Sequence, residues 1–330
     1  MATRVFRMRE PAEREAGIEA AVAALAAGGL VGLPTETVYG LAADATSGRA
    51  VARIYDAKGR PSFNPLISHV ESLEAAERHG VFGPAARRLA EAFWPGPLTL
   101  VVPRRPGSPI ADLATAGLDT VGLRVPGNQV ARALLARFGR PVAAPSANRS
   151  GRISPTSAED VVAELGERVD VVLDDGPTPV GVESAIVACL GDDLQLLRPG
   201  GVARADLERV AGMPLLSGSA GADPERPLAP GLLASHYAPH ARVRLDATGV
   251  EPGEALLAFG PAPPPGEPVA MRNLSPSGDL AEAAANLFRH LRELDAAGAA
   301  GIAVVPIPAE GLGEAIRDRL ARAAAPRPAT

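Results

Sequence analysis

Two basic side chains, Lys58 and Arg60, are the residues of this sequence whose types and spacing most clearly suggest chemistry. They lie in "DAKGRPSFNPL", and Lys58 is the one lysine among 33 basic residues. A lysine carries a compact charge on a flexible stem, whereas an arginine is a wide planar fork that does not fit every phosphate pocket. We therefore hypothesise that position 58 requires the shape of lysine. The alternative is that one lysine has remained by chance in an arginine-rich composition.

The residues around this pair predict a turn. Lys58 follows a predicted helix, "RAVARIYDA", and precedes a predicted strand, "PLISHV", with Gly59 and Pro61 on either side of Arg60. Because neither basic side chain is committed to a helix face, both can converge on one polyanion. The alternative is a solvated surface turn.

A second polar stretch, "AAPSANRSGRISPT", follows a predicted strand at residues 143–156. Its hydroxyl and amide groups and its Gly151 resemble the donors of loops that cradle phosphates; the side chains concerned are Ser146, Asn148, Ser150 and Ser154. The sequence has neither "GxxxxGK[ST]" nor a "GxGxxG" that follows a strand. It therefore supports neither a P-loop ATPase nor a dinucleotide-binding Rossmann site.

A third candidate is Arg124 in the predicted strand "TVGLRVP", where Thr120 shares its face of the strand. An arginine on the inner face of a sheet is costly to bury unless it meets an anion. Arg124 is therefore either paired with a carboxylate of the chain or a clamp for a ligand carboxylate. Glu36, in "LPTETVYGLAADA", is available as a proton acceptor.

Composition and charge exclude several classes of protein. The chain has 330 residues, a net charge of -5 and a single cysteine, Cys189. The acidic balance argues against a general electrostatic hold on nucleic acid. One cysteine cannot form a disulfide within the chain. The most apolar stretch, "AAVAALAAGGLVGLP", is too short to span a bilayer, and no signal or transit peptide fits the N-terminus. We therefore expect a cytoplasmic protein without a membrane partner.

Helices and strands alternate along the first 210 or so residues, which predicts one α/β domain with a sheet of mixed direction. Thr156 and Glu159 are predicted to form a capping box at the start of one of its helices. The pattern ends in a stretch rich in Gly, Pro and Ser. We expect a domain at residues 1–212, an extended linker at 213–240 and a small α/β domain at 241–330.

Seven motifs in order resemble those of the YrdC-like threonylcarbamoyl-AMP synthases: "PTETVYGLAADA", "KGRPSFNPLISHV", "FWPGPLTLVV", "LRVP", "APSANRSGRISPT", "GPTPVGVESAIV" and "LLRPGG". The later "APGLLASHYAP" and "EGLGEAIRDRLARAA" are similar to the linker and C-terminal domain of the long form of these enzymes. The resemblance implies a YrdC-like α/β domain with a large twisted mixed sheet, a linker that covers the active site, and a smaller Rossmann-like α/β domain.

The resemblance also implies site residues. The pattern KxR…SxN of the family stands here as Lys58, Arg60, Ser146 and Asn148, which would be the catalytic set. The ATP-binding set would be Lys58, Arg60, Ser62, Thr120, Ser146, Asn148, Ser154, Arg198, His236 and Tyr237. The threonine-binding set would be Thr35, His69, Arg124, Ala144 and Ser184.

The implied reaction joins L-threonine, bicarbonate or CO2, and ATP into threonylcarbamoyl-AMP and releases pyrophosphate. A separate transferase complex would then modify the adenosine beside the anticodon of tRNA, with weak direct tRNA contact as a further expectation. Magnesium would arrive with the ATP phosphates, with no protein ligand assigned. We expect no zinc, flavin or nicotinamide; His236 and His240 have a spacing seen in metal sites, but no third ligand is nearby.

Two other functions remain open for a sequence of this kind. A YrdC-like domain without the activity would be a module that binds double-stranded RNA or tRNA, against which the acidic charge argues. A carbamoyltransferase or hydrogenase-maturation protein that shares the domain would be expected to add zinc-finger cysteines. The chain also departs from the family's linker, because "PGLLASHYAP" lacks the Lys and Arg found there in many relatives.

Overall fold

Short, largely apolar strands build two separate β-sheets in the computed structural model, which describes residues 2–217, 228–230 and 236–326. Eleven described strands form the larger sheet: β1 Arg4–Arg7, β2 Val31–Leu33, β3 Gly40–Asp44, β4 Ile67–His69, β5 Leu98–Pro103, β6 Thr120–Arg124, β7 Val142–Ala143, β8 Val171–Asp174, β9 Ala185–Cys189, β10 Leu194–Arg198 and β11 Leu215–Ser217. The smaller sheet contains β12 Arg242–Arg244, β13 Glu254–Ala258, β14 Met271–Asn273 and β15 Gly301–Val304.

Nine α-helices in the described residues cover these sheets: α1 Pro11–Ala26, α2 Gly48–Lys58, α3 Leu73–Glu77, α4 Pro84–Phe93, α5 Gln129–Phe138, α6 Ala158–Leu165, α7 Arg204–Ala211, α8 Leu280–Ala296 and α9 Gly313–Ala324. Local sequence explains their ends. Ser47 and Asn128 cap α2 and α5 through their side chains, and Gly59 ends α2 in the left-handed region with φ of 60°.

The larger sheet has the order β1-β8-β2-β3-β7-β4-β6-β5-β9-β10-β11 and contains both parallel and antiparallel pairs. The smaller sheet, in the order β12-β15-β13-β14, is entirely parallel. Helix α8 connects β14 to the parallel strand β15, and α9 follows β15, whereas no described α-helix lies between β12, β13 and β14. The predicted fold class, a large mixed sheet with a smaller α/β domain, is confirmed. Below, "first domain" and "second domain" denote the parts of the chain that form the larger and the smaller sheet.

Apolar side chains of both domains share one core. The buried cluster that contains Phe288 and Leu287 of α8 also includes Val38, Ile153 and Val182 from the first domain. Gly181, with φ of 75°, packs so closely on the backbone of α8 that a Cβ atom there would overlap Ala284 and Ala285. The two domains therefore pack against each other through a buried apolar contact.

Three local expectations differ from the structure. Lys58 is the last residue of α2 rather than part of the following turn, because Gly59 supplies the left-handed end. The capping box of α6 is formed by Ser157 and Asp160, one residue later than the predicted Thr156 and Glu159. Strand β11 lies inside the predicted linker 213–240, of which residues 218–227 and 231–235 lie outside the described part. Among the described helices, none combines the length and apolarity needed to cross a membrane.

Candidate active site

The middle of the larger sheet forms the floor of a small cavity. Strand β4 pairs with β6 so that His69 lies opposite Arg124, and Ile67, two residues before His69, points to the same side. The register with β7 brings Ala144 beside Ile67, where the Ala144 amide donates to the Ile67 carbonyl at 3.0 Å. All four of these residues line the cavity. One face of three adjacent strands thus places distant parts of the sequence side by side.

Lys58 connects the end of α2 to the loop after β7. Its ammonium donates to the backbone carbonyl of Ser146 at 2.5 Å and to that of Asn148, while the Ser150 amide donates to the Lys58 carbonyl. The side chain is 3% exposed. Burial lowers the pKa of Lys58 well below its usual value, and the nearby charge of Arg60 lowers it further. A compact ammonium fits between two carbonyls where a planar guanidinium would need more room.

Arg60 and Arg198 place two guanidinium groups in the cavity wall. Arg60 donates to the carbonyl of Pro65 at 3.1 Å, and its Nη1 has no partner among the described residues. Burial lowers the pKa of Arg60 to about 10. Arg198 donates to the Ser184 carbonyl from Nε at 3.2 Å and from Nη2 at 3.0 Å. Burial lowers the pKa of Arg198 as well. Backbone carbonyls thus orient both side chains without neutralising their charge.

Arg124 forms an ion pair within the chain. Its Nη2 donates to Glu36 Oε1 at 2.5 Å and to the Thr37 hydroxyl at 3.0 Å, and its Nε donates to the Gly96 carbonyl. The other carboxylate oxygen of Glu36 accepts the Gly127 amide at 2.8 Å. The remaining nitrogen, Nη1, has no partner in the described part of the chain, so Arg124 can pair with Glu36 and still meet a ligand anion.

Glu183 is a buried acidic residue that the sequence analysis did not select. Its Oε1 accepts the Ser154 hydroxyl at 2.5 Å and its Oε2 accepts Arg319 Nε at 2.9 Å. Burial acts to raise the pKa of Glu183, but the charges of Arg319 and Arg198 outweigh this effect and lower the pKa to about 2. Its position in "GVESAIV", two residues before the apolar strand β9, could have indicated this role. A charged residue so close to a buried strand is seldom buried without a partner.

His236 and Tyr237 close the cavity from above. The His236 amide donates to the Arg322 carbonyl at 3.2 Å, the Ala238 amide donates to the Gly151 carbonyl at 2.9 Å, and the His236 and Tyr237 rings lie 4.1 Å apart. Tyr237 has φ of 61°, a conformation that is strained for a bulky residue. The space left beneath them is about 40 Å³, enough for a water molecule or two but not for a nucleotide.

The two histidines of the cavity are neutral near pH 7. Burial lowers the pKa of His69 to about 3, and the charge of Arg124 contributes in the same direction. Burial likewise lowers the pKa of His236 to about 3. The Nδ1 atom of His69 is buried without a hydrogen-bond partner in the described structure, so it offers an unused polar contact to a ligand.

The structure brings most of the sequence-predicted site residues together. Nine line the cavity: Arg60, His69, Arg124, Ala144, Ser146, Ser184, Arg198, His236 and Tyr237. Four more are buried beside it, namely Thr35, Lys58, Asn148 and Ser154. Ser62 lies exposed in the turn after α2, and Thr120 lies at the far end of β6, about 13 Å along the strand from Arg124. Neither of these two contributes to the cavity wall in this state.

No group of three or more His, Cys, Asp or Glu side chains in the described residues has a geometry that could hold a metal ion. The two carboxylates closest to the cavity, Glu36 and Glu183, are already bound to arginines. The side chains around the cavity therefore provide no ready set of ligands for a cation, and their positive charge favours anions instead.

Comparison with known sequences and structures gives consistent results. The profile of the Sua5/YciO/YrdC family, described as telomere recombination, matches residues 23–200, and the profile described as threonylcarbamoyl-AMP synthase, C-terminal domain, matches residues 202–325. The threonylcarbamoyl-AMP synthase of Pyrococcus abyssi is 38% identical over 97% of both chains. That of Bacillus subtilis is 45% identical over 68% of this chain and 65% of its own length. The crystal structure of P. abyssi Sua5 complexed with L-threonine superposes with a TM-score of 0.88 at 35% identity, covering 98% of each chain.

Proposed function

This chain belongs to the family of threonylcarbamoyl-AMP synthases, and on that premise we propose that it makes L-threonylcarbamoyl-AMP from L-threonine, bicarbonate or CO2, and ATP, with release of pyrophosphate. Both family profiles and a relative that aligns over nearly its whole length support this function over that of an RNA-binding module without the activity. We further propose that the product passes in the cytoplasm to a transferase complex that modifies tRNA.

The observation that carries the proposal is the charge of the cavity. Five cationic side chains lie in or directly behind its wall, namely Lys58, Arg60, Arg124, Arg198 and Arg319. Three described carboxylates pair with them: Glu36 with Arg124, and Glu183 and Asp318 with Arg319. Such an excess of buried positive charge is costly unless a ligand supplies anions. A triphosphate together with an amino-acid carboxylate would supply them.

The threonine subsite is proposed to lie around Arg124. Its unpaired Nη1 would hold the carboxylate of the amino acid, while the neutral His69, opposite it on β4, offers an acceptor at Nδ1 to the amine or hydroxyl. The Ser184 hydroxyl, which shares a hydrogen bond of 2.8 Å with Thr99, lies in the same wall. P. abyssi Sua5, whose fold this chain shares, has been solved with L-threonine bound.

The nucleotide subsite is proposed to lie on the opposite wall, where Lys58, Arg60 and Arg198 converge. Two N–H groups of the Lys58 ammonium donate to the carbonyls of Ser146 and Asn148 in the loop after β7. The third N–H group remains for a phosphate oxygen. Ser146 and Ser154 would add hydroxyl donors. Ser62 and Thr120, outside the present cavity, would reach ATP only from an opened site.

The chemistry needs positioning and charge more than a protein nucleophile. The threonine amine would attack CO2 and lose a proton to give a carbamate, and a carbamate oxygen would then attack the α-phosphorus. The bond from the α-phosphorus to the bridging oxygen breaks, and pyrophosphate leaves with the electron pair. Proximity alone can supply about 7–11 kcal/mol of such a barrier, and fixed cations stabilise the charge that develops.

Magnesium would be carried by the ATP phosphates, because the nearby carboxylates are already occupied by arginines. The cavity, at about 40 Å³, is too small for a nucleotide. We therefore propose that the segment with His236 and Tyr237 covers the site between turnovers and moves aside to admit ATP, in line with the expected linker.

Incubation of the purified protein with ATP, bicarbonate and each amino acid in turn, with pyrophosphate as the readout, tests the function. We expect release that requires both L-threonine and bicarbonate, and mass spectrometry should detect threonylcarbamoyl-AMP. Release that does not depend on threonine would contradict the proposal. Arg124→Lys provides a matched variant, whose KM for threonine should rise while its KM for ATP changes little.

A further inference from the structure

One side chain of the second domain, Arg319 of α9, reaches the cavity wall from behind. It is fully buried, and its Nε donates to Glu183 at 2.9 Å. The other oxygen of the same carboxylate accepts the hydroxyl of Ser154, a residue of the proposed nucleotide subsite. A path of two hydrogen bonds thus leads from the second domain to a side chain expected to bind ATP.

Arg319 also holds the backbone beside another nucleotide-binding side chain. Its Nη1 donates to the carbonyl of Pro199 at 2.7 Å, and Pro199 directly follows Arg198. The same nitrogen donates to Oδ2 of the neighbouring Asp318 at 2.8 Å. Its guanidinium carbon lies 5.4 Å from the centre of the Tyr237 ring, and Nη2 is buried without a hydrogen-bond partner in the described residues. A single planar guanidinium therefore contacts Glu183 and Tyr237 of the cavity wall and the backbone next to Arg198, which a lysine cannot do.

Joining the two domains does not by itself explain this arrangement. The domains already share an apolar core, and Arg204 of α7 forms a second ion pair between them with Glu314 of α9, at 2.6 Å and away from the cavity. A fully buried ion pair is seldom more stabilising than apolar residues of the same volume. The location of the Arg319–Glu183 pair, directly behind the cavity wall, instead favours a role in binding.

We propose that Arg319 is a positioning residue through which the second domain fixes the nucleotide subsite. It acts through Glu183 on Ser154 and through Pro199 on Arg198. The inference rests on the proposed function, because it takes ATP as the nucleotide. It implies that the second domain is part of the ATP-binding machinery and not only a covering element.

The test compares Arg319→Lys with Arg204→Lys, which makes the same exchange in an ion pair between the domains that lies away from the cavity. We expect Arg319→Lys to raise the KM for ATP by about 10-fold to 100-fold, the usual effect of removing an outer partner of a binding group. The KM for threonine should change by less than about two-fold. Arg204→Lys should leave both constants at the wild-type value. A wild-type KM for ATP in Arg319→Lys, or equal changes in both variants, would overturn the inference.

A second pair of variants covers a failure to fold. Arg319→Met combined with Glu183→Gln removes both charges of this pair, and Asp318 keeps its ion pair with Arg322. The double variant should therefore recover the wild-type melting temperature but not the wild-type KM for ATP. Recovery of both would show a purely structural pair and overturn the inference. Calorimetric titration with ATP alone separates this result from the proposed function. If the wild type binds ATP but releases no pyrophosphate with threonine, the function fails, and the dissociation constant of Arg319→Lys still decides the inference.

Discussion

Individual residues of the site gain their properties from burial among like charges. Lys58 and Arg60 lie two positions apart, and both are almost inaccessible to water. Burial lowers the pKa of each, the charge of Arg60 lowers the pKa of Lys58 further, and the charge of Arg198 does the same for Arg60. The backbone carbonyls around them offset part of this cost. A bound polyphosphate would offset the rest of the cost of burying these charges in the cavity wall.

Replacement of Lys58 by Arg should reduce kcat/KM for ATP by about 100-fold or more, because a guanidinium cannot enter the space between the Ser146 and Asn148 carbonyls without displacing the loop. Pyrophosphate release at varied ATP concentration measures this effect. Arg168→Lys is the matched control, because Arg168 is exposed and contacts only the Ala57 carbonyl near the same helix end. Near wild-type turnover of Lys58→Arg would show that charge alone suffices at position 58.

The buried histidines predict a pH-dependent stability. His69 and His236 have pKa values of about 3 in the folded protein, against 6.5 as the ordinary value. Between these two pH values the unfolded chain binds protons that the folded chain does not. Their contribution to stability is therefore complete above pH 6.5 and is lost as the pH falls towards 3, by up to about 1.4 kcal/mol per pH unit for each histidine.

Urea unfolding at pH 7, 6, 5 and 4 measures this dependence. His236→Asn should reduce the slope of unfolding free energy against pH by the contribution of one titrating histidine. This change in slope is expected whatever the variant's absolute stability. An unchanged slope in this variant would show that His236 does not titrate as its burial implies.

At the scale of elements, the loop after β2 and the end of β6 are joined by the Glu36–Arg124 pair. Both side chains are largely shielded, at 13% and 5% exposure. The same carboxylate accepts the Gly127 amide just before α5. Glu36 thus fixes both the charge of the proposed threonine subsite and the position of the following helix.

Glu36→Gln should lower the unfolding free energy by up to about 3–5 kcal/mol, because Arg124 remains buried without a counter-charge. Saturating L-threonine should then raise the melting temperature of this variant more than that of the wild type, since the ligand carboxylate restores a negative charge beside Arg124. Differential scanning fluorimetry with L-threonine, and with L-threoninamide as a control that lacks the carboxylate, measures both effects. Equal shifts with the two ligands would argue against a carboxylate clamp at Arg124.

At the scale of the whole molecule, the two domains are one cooperative unit. They share the apolar cluster around Phe288 and the buried Arg319–Glu183 pair, and Arg292 of α8 adds ion pairs to Asp160 and Glu164. Separate unfolding of either domain would expose this contact to water. Coupling of this extent also suits a site whose wall is supported from behind by Arg319 of the second domain.

We therefore expect a single unfolding transition by calorimetry. Phe288→Ala, at a fully buried position, should lower the unfolding free energy of the whole protein by about 3–5 kcal/mol without dividing the transition. Val269→Ala, at a position 58% exposed, should change it by less than about 0.5 kcal/mol. Two resolved transitions in the wild type would contradict the cooperative view.

Much of the fold class and several residues of the cavity wall could be predicted from the amino-acid pattern alone. Alternating helix and strand patterns predicted the two α/β parts, and the polar loops pointed to Arg60, Ser146 and Arg124, which do line one cavity. Local sequence patterns were sufficient to select these residues, because strand ends and glycine-containing turns place polar side chains at predictable points along the chain.

Only the tertiary structure decided the partners of these residues. Glu36 with Arg124, and Glu183 with Arg319, are 88 and 136 residues apart in the chain. Nothing local in the sequence distinguishes Arg319 from the other two arginines of α9, Arg317 and Arg322, but only Arg319 is completely buried. These contacts form because of strand register and domain packing. Neither can be inferred from a local sequence pattern, so pairs this far apart in the chain could not be predicted.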